Sequence, residues 1–339
     1  MRIILYPISL IYGFITYLRN KLYDSGTLKS TKLSVPVISV GNITTGGTGK
    51  TPLTVYLAEY YMQKGRKVGI VSRGYGRNSS FQLLVCDGEK ILDNVDMTGD
   101  ELYMISEELL QKYSNFHVLA DSNRVKGAEY LIDKYNPDVI ILDDAFQHRK
   151  IQRDLDIVMI DSGRYDRLFN KILLPAGNLR ESRPGLKRAD IIIQNNKRTD
   201  KDELEGLSSY EVPIVMAKYK MEGLYDKNNQ RVDTIQKNVL ALSSIANTDS
   251  FYKTINDLGL NIVHKFKYVD HYGYINKDIH NITETANQGL AIVTTHKDMV
   301  KLREFDSLLS NYKIYYIKIG LTFDKNYNIL EQKLNELID

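Results

Sequence analysis

The chain has 339 residues, 43% hydrophobic and 26% charged, which is the make-up of an ordinary globular protein with length for two cores and excludes extended disorder. A formal charge of +3, without a long lysine/arginine run, excludes the electrostatic footprint of a nucleic-acid binder. Cys86 is the only cysteine, so no internal disulfide can form, and no Cys/His cluster has zinc spacing.

The N-terminal run from Ile3 to Leu18 carries no charge, lies between Arg2 and Arg19, and is followed by Lys21. A spanning helix needs about 20 apolar residues, so the run is short for one. It ends at "RNKLY" rather than at the small residues of a signal-peptide cleavage site. On a helical projection Arg2, Ser9, Gly13, Thr16 and Asn20 form one narrow polar stripe against a broad apolar, tyrosine-rich face. Two readings stand: a helix lying in a membrane interface with cationic ends at the headgroups, or a core helix packed on the domain.

"VPVISV" (Val35 to Val40) reads as a buried strand feeding "GNITTGGTGKT". Gly49-Lys50-Thr51 is the tail of a phosphate-binding loop, although the motif G-x-x-x-x-G-K-[ST] wants glycine where Thr44 stands. Strand, glycine-rich turn and helix ("KTPLTVYLAEYYMQ", ending before Gly65) is the context that supports a phosphate cradle. Gly46, Gly47 and Gly49, interleaved with Thr45 and Thr48, let successive N–H groups converge on anionic oxygens. Lys50 then reaches the β- and γ-phosphates, and Thr51 is a candidate Mg²⁺ ligand.

"KVGIVS" is the next strand, and a helix begins near Thr98 in "TGDELYMISEELLQKY". Thr98 and Glu101 fit a capping box. That box leaves Asp100 unexplained, so Asp100 is a candidate base for a hydroxyl nucleophile. "FHVLA", a helix around "RVKGAEYLIDKY", and the strand "VIIL" follow. Asp143 or Asp144, at that strand's carboxyl end, could hold the Mg²⁺ of ATP. "LDIVMI" and "ADIIIQ" complete a strand–helix alternation that argues for a parallel sheet covered by helices. Past Pro213 a polar, alternating hairpin around Asn228-Asn229 reads as a linker, and "VLALSSIA" opens a second, smaller α/β unit with "LAIVTT" and "KIYYIKI".

Together, "VISVGNITTGGTGKTP", "SRGYGR", "GDE", "DDAFQHRKIQRDLDIVMID", "LLPAGNLRE", "VLALSSIAN", "VDHYGY" and "TTHKD" resemble, in this order, the tetraacyldisaccharide 4'-kinase (lipid A 4'-kinase) family. Thr44 belongs to that family's loop; Asn178 and His296 depart from its commoner residues. The resemblance implies an ATP- and Mg²⁺-dependent kinase that phosphorylates the 4'-hydroxyl of a tetraacyl glucosamine disaccharide 1-phosphate. The reaction is placed at the cytoplasmic face of the bacterial inner membrane, without an obligate protein partner. The implied fold is α/β: a P-loop parallel-sheet domain (25–213) after an N-terminal helix (1–24), then a β-ribbon linker (214–237) and a smaller α/β domain (238–339). The resemblance further implies that Asp100 and His271 together take the proton from the sugar hydroxyl and that Glu181 helps Mg²⁺. Arg73, Arg77, Arg124 and Arg149, with Glu101, are candidates at phosphate groups or substrate. A four-chain lipid substrate favours the membrane-interface reading of the N-terminal helix.

Two rivals are set against this reading. Dimerising partitioning ATPases place a lysine before the Gly-Gly pair, where Thr45 stands. A guanine-binding switch needs Asn-Lys-x-Asp, whereas "NKRT" (Asn196 to Thr199) lacks the aspartate.

Overall fold

The computed structural model describes residues 2–197 and 202–338; Arg198 and Thr199 of the "NKRT" segment lie outside the described residues. After a short turn, α1 (Tyr6–Asp24) precedes β1 (Val37–Gly41) and α2 (Lys50–Gln63). β2 (Val68–Ser72), β3 (Leu83–Cys86), α3 (Val95–Thr98), α4 (Asp100–Leu110), β4 (Phe116–Ala120), α5 (Arg124–Tyr135) and β5 (Val139–Asp143) follow. β6 (Leu155–Asp161), β7 (Ile191–Asn195), β8 (Ile214–Asp226) and β9 (Arg231–Val232) lead to β10 (Asn238–Ser243). The last third holds α6 (Thr248–Asp257), β11 (Asn261–Lys267), α7 (Asn276–Ala286), β12 (Ala291–Thr295), α8 (His296–Leu302), α9 (Asp306–Leu309), β13 (Ile314–Phe323) and α10 (Tyr327–Asn335).

One sheet runs through both halves, in the order β11-β10-β12-β13-β8-β7-β6-β1-β5-β2-β4-β3, with β9 paired to β8. Most neighbours are parallel, as the strand–helix alternation requires. The exceptions are β13 with β8, β3 with β4, and β8 with β9. β1 is central to the first half: Val37–Val40 pair with Ile140–Asp143 on one side, and Ile38–Gly41 with Leu155–Val158 on the other. This register brings the phosphate-loop strand and the Asp143 strand to a common carboxyl edge.

Leu53 and Leu57 of α2 and Ile105 of α4 cover one face of this half, and Ala128 and Leu131 of α5 cover the other. In the second half, Leu240, Leu242 and Ile292 pack with Ile279 of α7, and Val239, Ala241 and Val293 pack with Phe251 and Ile255 of α6. The hairpin around Asn228-Asn229 is present, but its first arm, β8, also carries the sheet across the molecule. Tyr315–Phe323 of β13 pair along it, from Asp226 back to Ala217.

The chain then returns. Leu330 and Leu334 of α10 bury completely in the first core, Tyr61 donates to the Leu334 carbonyl at 2.9 Å, and Tyr60 donates to Asn335 at 2.7 Å. The final helix, within the segment expected to form the smaller unit, therefore packs on the phosphate-loop helix.

α1 is docked by its polar stripe. Ser9 is buried and accepts a 3.0 Å hydrogen bond from the Ala176 N–H. Tyr12 donates to the Arg180 carbonyl at 2.7 Å, and Asn20 donates to Glu181 at 3.2 Å. A Cβ on Gly13 would lie 2.7 Å from Leu173 Cδ1, so this position sits close against the Leu173 side chain. The apolar face points the other way: Leu10, Ile11, Phe14, Ile15 and Tyr17 are each about 60% exposed. The core-helix reading of this segment does not hold. Among the described residues, no helix is long and apolar enough to cross a membrane.

Thr98 forms no capping box. It ends α3 and donates to the Asn94 carbonyl at 2.8 Å, while Gly99, at φ 84°, occupies the N-cap of α4. The chain turns sharply here, a geometry that glycine permits and that frees Glu101 for another partner.

Candidate active site

The loop between β1 and α2 holds its shape through local contacts. Asn42 donates to Thr48 Oγ1 at 3.0 Å, and Asn195 at the end of β7 donates to the Thr48 carbonyl at 2.9 Å. Gly46 and Gly49 have φ of 94° and 106°, in the left-handed region. Thr44, where the motif wants glycine, forms an antiparallel bridge with Leu179. The Thr45 N–H donates to the Asn178 carbonyl at 2.8 Å, and the Arg180 N–H donates to the Ile43 carbonyl at 2.8 Å. An extended, β-paired residue has no need of glycine at position 44. Asn178 contributes its main chain to this bridge.

The loop borders a cavity of about 540 Å³. Thr45–Pro52, Asp144, Arg180, Lys197 and Tyr219 line it from one half, and Ala246, Asn247, Phe251, Asp270, His271 and Lys297 from the other; Tyr75 and Glu101 close the side between them. Lys50 and Thr51 lie at the first turn of α2, where unpaired N–H groups and the helix dipole favour an anion.

The two aspartates differ. Asp143 is 1% exposed and accepts hydrogen bonds from Thr54 and Ser72, each at 3.1 Å. Burial, with the nearby Glu101 and Asp144 carboxylates, pushes its carboxyl up to about 6. Asp144 has φ 49° and lines the cavity. Arg180 binds both its oxygens, at 2.7 and 2.8 Å, and Lys50 Nζ is 3.5 Å away. Burial raises the Asp144 carboxyl, but Lys50, Arg180 and Arg124 outweigh it and hold the group below the usual carboxylate range.

Asp100 and His271 meet at the cavity's edge: His271 lines it, and Asp100 does not. His271 Nδ1 is 3.1 Å from both Asp100 oxygens. Asp100, the first residue of α4, is buried; burial raises its carboxyl, yet the His271 hydrogen bond and the charges of Lys297 and Lys301 bring it below the ordinary range. Lys297 Nζ is 2.9 Å from His271 Nε2 and 3.4 Å from Glu101. The edge of Tyr75 faces the imidazole, with ring centroids 4.8 Å apart.

Other expected site residues lie elsewhere. Glu181 does not line the cavity: Gln147 donates to one oxygen at 2.8 Å, while Asn20 and Arg188 take the other. Arg149 lies against α1, bonding the Asn20 carbonyl at 2.9 Å and Asp24 at 2.8 Å. Arg124 is buried behind Asp144, with its guanidinium on the Ser122 and Asp144 carbonyls. Arg77 donates to Ser79 at 3.1 Å; Arg73 is exposed. Neither arginine lines the cavity.

Arg180, Lys197 and Lys297 are cavity residues that the sequence reading did not single out. Arg180 and Lys297 each stand inside a quoted motif, "LLPAGNLRE" and "TTHKD", beside a residue that drew the attention, Glu181 and His296. His296 is buried instead, stacked on Tyr316 and 3.0 Å from Glu107.

Comparison with known proteins supplies the family. The model of the tetraacyldisaccharide-1-P 4'-kinase family matches residues 1–339. A tetraacyldisaccharide 4'-kinase of Chlorobaculum tepidum is 36% identical over 352 residues, covering 99% of this chain and 97% of that relative. One from Flavobacterium psychrophilum is 35% identical, covering 100% of this chain and 97% of its own length. The solved structure of LpxK from Aquifex aeolicus, in complex with ATP, superposes with a TM-score of 0.82 at 30% identity and covers 100% of this chain and 99% of its own. The chain therefore belongs to the tetraacyldisaccharide-1-P 4'-kinase family.

Proposed function

We infer that this protein is an ATP- and Mg²⁺-dependent kinase that phosphorylates the 4'-hydroxyl of the tetraacyl disaccharide 1-phosphate in lipid A biosynthesis. The observation that carries the reading is that the Lys50 loop and His271 line one cavity, with Asp100 held 3.1 Å from the His271 ring. Loop N–H groups and Lys50 bind the triphosphate. Asp100, held by His271, accepts the proton of the sugar hydroxyl as its oxygen bonds to the γ-phosphorus and the bond to ADP breaks.

Thr51 and Asp144 are the residues that fit Mg²⁺. They stand on the same cavity wall as Lys50, and this ion is commonly held by one or two carboxylates together with substrate phosphates. Among the described residues, no His/Cys/Asp/Glu group forms a separate cage for it. When bound, Mg²⁺ supplies neutralisation of the triphosphate charge. Asp143 supports Thr54 and Ser72 beneath this site, and Glu181 supports the docking of α1.

The reading places the enzyme at the cytoplasmic face of the inner membrane through α1. Its outward apolar face, with exposed Leu168 and Phe169 between Arg167 and Lys171, suits insertion beside anionic headgroups. The deciding experiment supplies purified protein with labelled ATP, Mg²⁺ and the tetraacyl disaccharide 1-phosphate in detergent. Label at the 4' position is the expected result; ATP consumption that is indifferent to the acceptor would sink the assignment.

A further inference from the structure

The turn that carries His271 is tied to a buried carboxylate that does not line the cavity. Asp298, on α8, is fully buried. One of its oxygens accepts hydrogen bonds from the Ser244 N–H at 2.9 Å and the Thr295 hydroxyl at 2.7 Å. The other accepts from the Tyr274 hydroxyl at 3.0 Å and from the Ser244 hydroxyl, and lies 3.0 Å from Lys301 Nζ. The Lys301 ammonium also donates to the Tyr272 carbonyl at 3.0 Å. Ser244 touches Lys301 as an activated nucleophile would, but it is fully buried and held in this network, so no substrate reaches it.

A buried ion pair is weak evidence for stability, because desolvation offsets the attraction. This one has a direction instead: the ends of β10 and β12 and the limb leaving His271 converge on it. That limb is where the backbone needs holding. The Tyr272 N–H closes a turn on the Val269 carbonyl at 3.2 Å, and His271, at φ 58°, takes a position where glycine or asparagine is usual. Val269, at the start of the turn, is 71% exposed, so packing does not fix that side. A residue in the left-handed region persists where its surroundings over-determine it. Here Lys301 holds the Tyr272 carbonyl and Asp298 holds the Tyr274 hydroxyl, while the Tyr274 ring packs edge-on against Tyr268. Resting on the reading of Asp100 and His271 as the pair that acts on the sugar hydroxyl, we propose that Asp298, with Lys301, is the positioning residue of this turn, keeping the His271 ring on Asp100.

Both Asp298 oxygens face donors. An Asp298→Asn amide offers one oxygen and one NH2 group, so whichever way it turns one set of donors meets the NH2. Tyr274→Phe is milder: it removes one O–H and keeps the ring. A carboxylate that only stabilised the second half would show its loss in unfolding and leave the chemical step alone.

The test uses the full chain. Asp298→Asn should lower kcat by roughly tenfold or more and Tyr274→Phe by roughly threefold or more, through misplacement of the ring. KM for ATP should change by less than about twofold in both. Should Asp298→Asn fail to fold, Tyr274→Phe carries the test. Leu309→Ala, a core truncation in α9 of the same half, should lower the thermal midpoint at least as far as Tyr274→Phe, with kcat within about twofold of the parent. The decisive readout is non-additivity. In a His271→Ala background there is no ring to place, and Tyr274→Phe should lower kcat no further. An undiminished loss in that background overturns the proposal, as does a Tyr274→Phe loss no larger than that of Leu309→Ala. A crystal structure of Tyr274→Phe answers without turnover: the ring should leave Asp100 or lose its single position, and an unmoved ring overturns the proposal. Near-parental turnover in His271→Ala would overturn a different statement, the role of the pair. The crystal structure then still decides whether Asp298 places the ring, so the two failures are told apart.

Discussion

At the scale of single residues, the cavity separates groups that look alike in the chain. Asp143 and Asp144 are neighbours on one strand end, yet one is sealed under two hydroxyls and the other meets Lys50 and Arg180 at the cavity wall. Removing a charge therefore has different consequences at each. Asp144→Asn should weaken the Mg²⁺ dependence of turnover, raising the Mg²⁺ concentration needed for half-maximal rate by roughly tenfold or more, while the protein stays folded. A Mg²⁺ titration of initial rates checks this, and an unchanged midpoint removes Asp144 from the ion. Asp100→Ala acts on another step. It should lower kcat by about 10²–10⁴, as loss of a general base does, with ATP affinity nearly intact. Single-turnover rates alongside nucleotide binding separate the two effects. Lys50→Ala should abolish measurable turnover, because both binding and charge neutralisation of the phosphates converge on that side chain.

At the scale of elements, α1 is the informative case. Its polar stripe is visible in the sequence, but the stripe alone does not say which side faces the protein. Ser9, Tyr12 and Asn20 bond the 176–181 segment, so the helix is docked inside out for a globular protein, with Phe14 and Ile15 outward. Replacing Ile11, Phe14 and Ile15 by serine should reduce binding to anionic vesicles by at least about tenfold, since each such side chain transferred from water is worth about 1.5–3 kcal/mol. Cosedimentation checks this, with ATP-analogue binding expected to be unchanged; equal vesicle binding would move the membrane contact off α1. Legibility elsewhere followed the strength of local pattern. β1 and α2 could be read because a buried apolar run and Gly65 mark their limits. β11, with "NIVHKFK" on an exposed edge, carries no such run and was not read as a strand. The Asp100–His271 pair had no local signal either: 171 positions separate them, and only the resemblance joined them before the fold did.

At the scale of the whole molecule, two couplings make the halves one body. The first is the continuous sheet through β8 and β13; the second is α10, which buries Leu330 and Leu334 against α2. A charged layer between α4 and the second half adds a pH-sensitive link. Lys318 is 3.0 Å from Glu108, Arg303 pairs with Glu107, and His296 lies among them. Burial, against the opposing charge of Glu108, depresses His296 to about 4. A histidine depressed in the folded state binds its proton first in the unfolded chain, so stability is full above the ordinary value of about 6.5 and is lost as pH falls toward 4. One such group contributes up to about 3 kcal/mol across that window, at 1.36 kcal/mol per pH unit. Asp143, raised to about 6, works the other way between about 4 and 6, and so the informative quantity is a difference between proteins. His296→Phe keeps a ring against Tyr316 and should lose less stability than the parent between pH 6.5 and 4.5, measured by urea unfolding. Parallel curves would remove His296 from the acid response. Leu330→Ala tests the coupling itself. It should cost about 2–5 kcal/mol and lower a single thermal transition that an ATP analogue raises. Two transitions, with only one responding to Leu330→Ala, would mean that the shared sheet and α10 do not join the halves cooperatively.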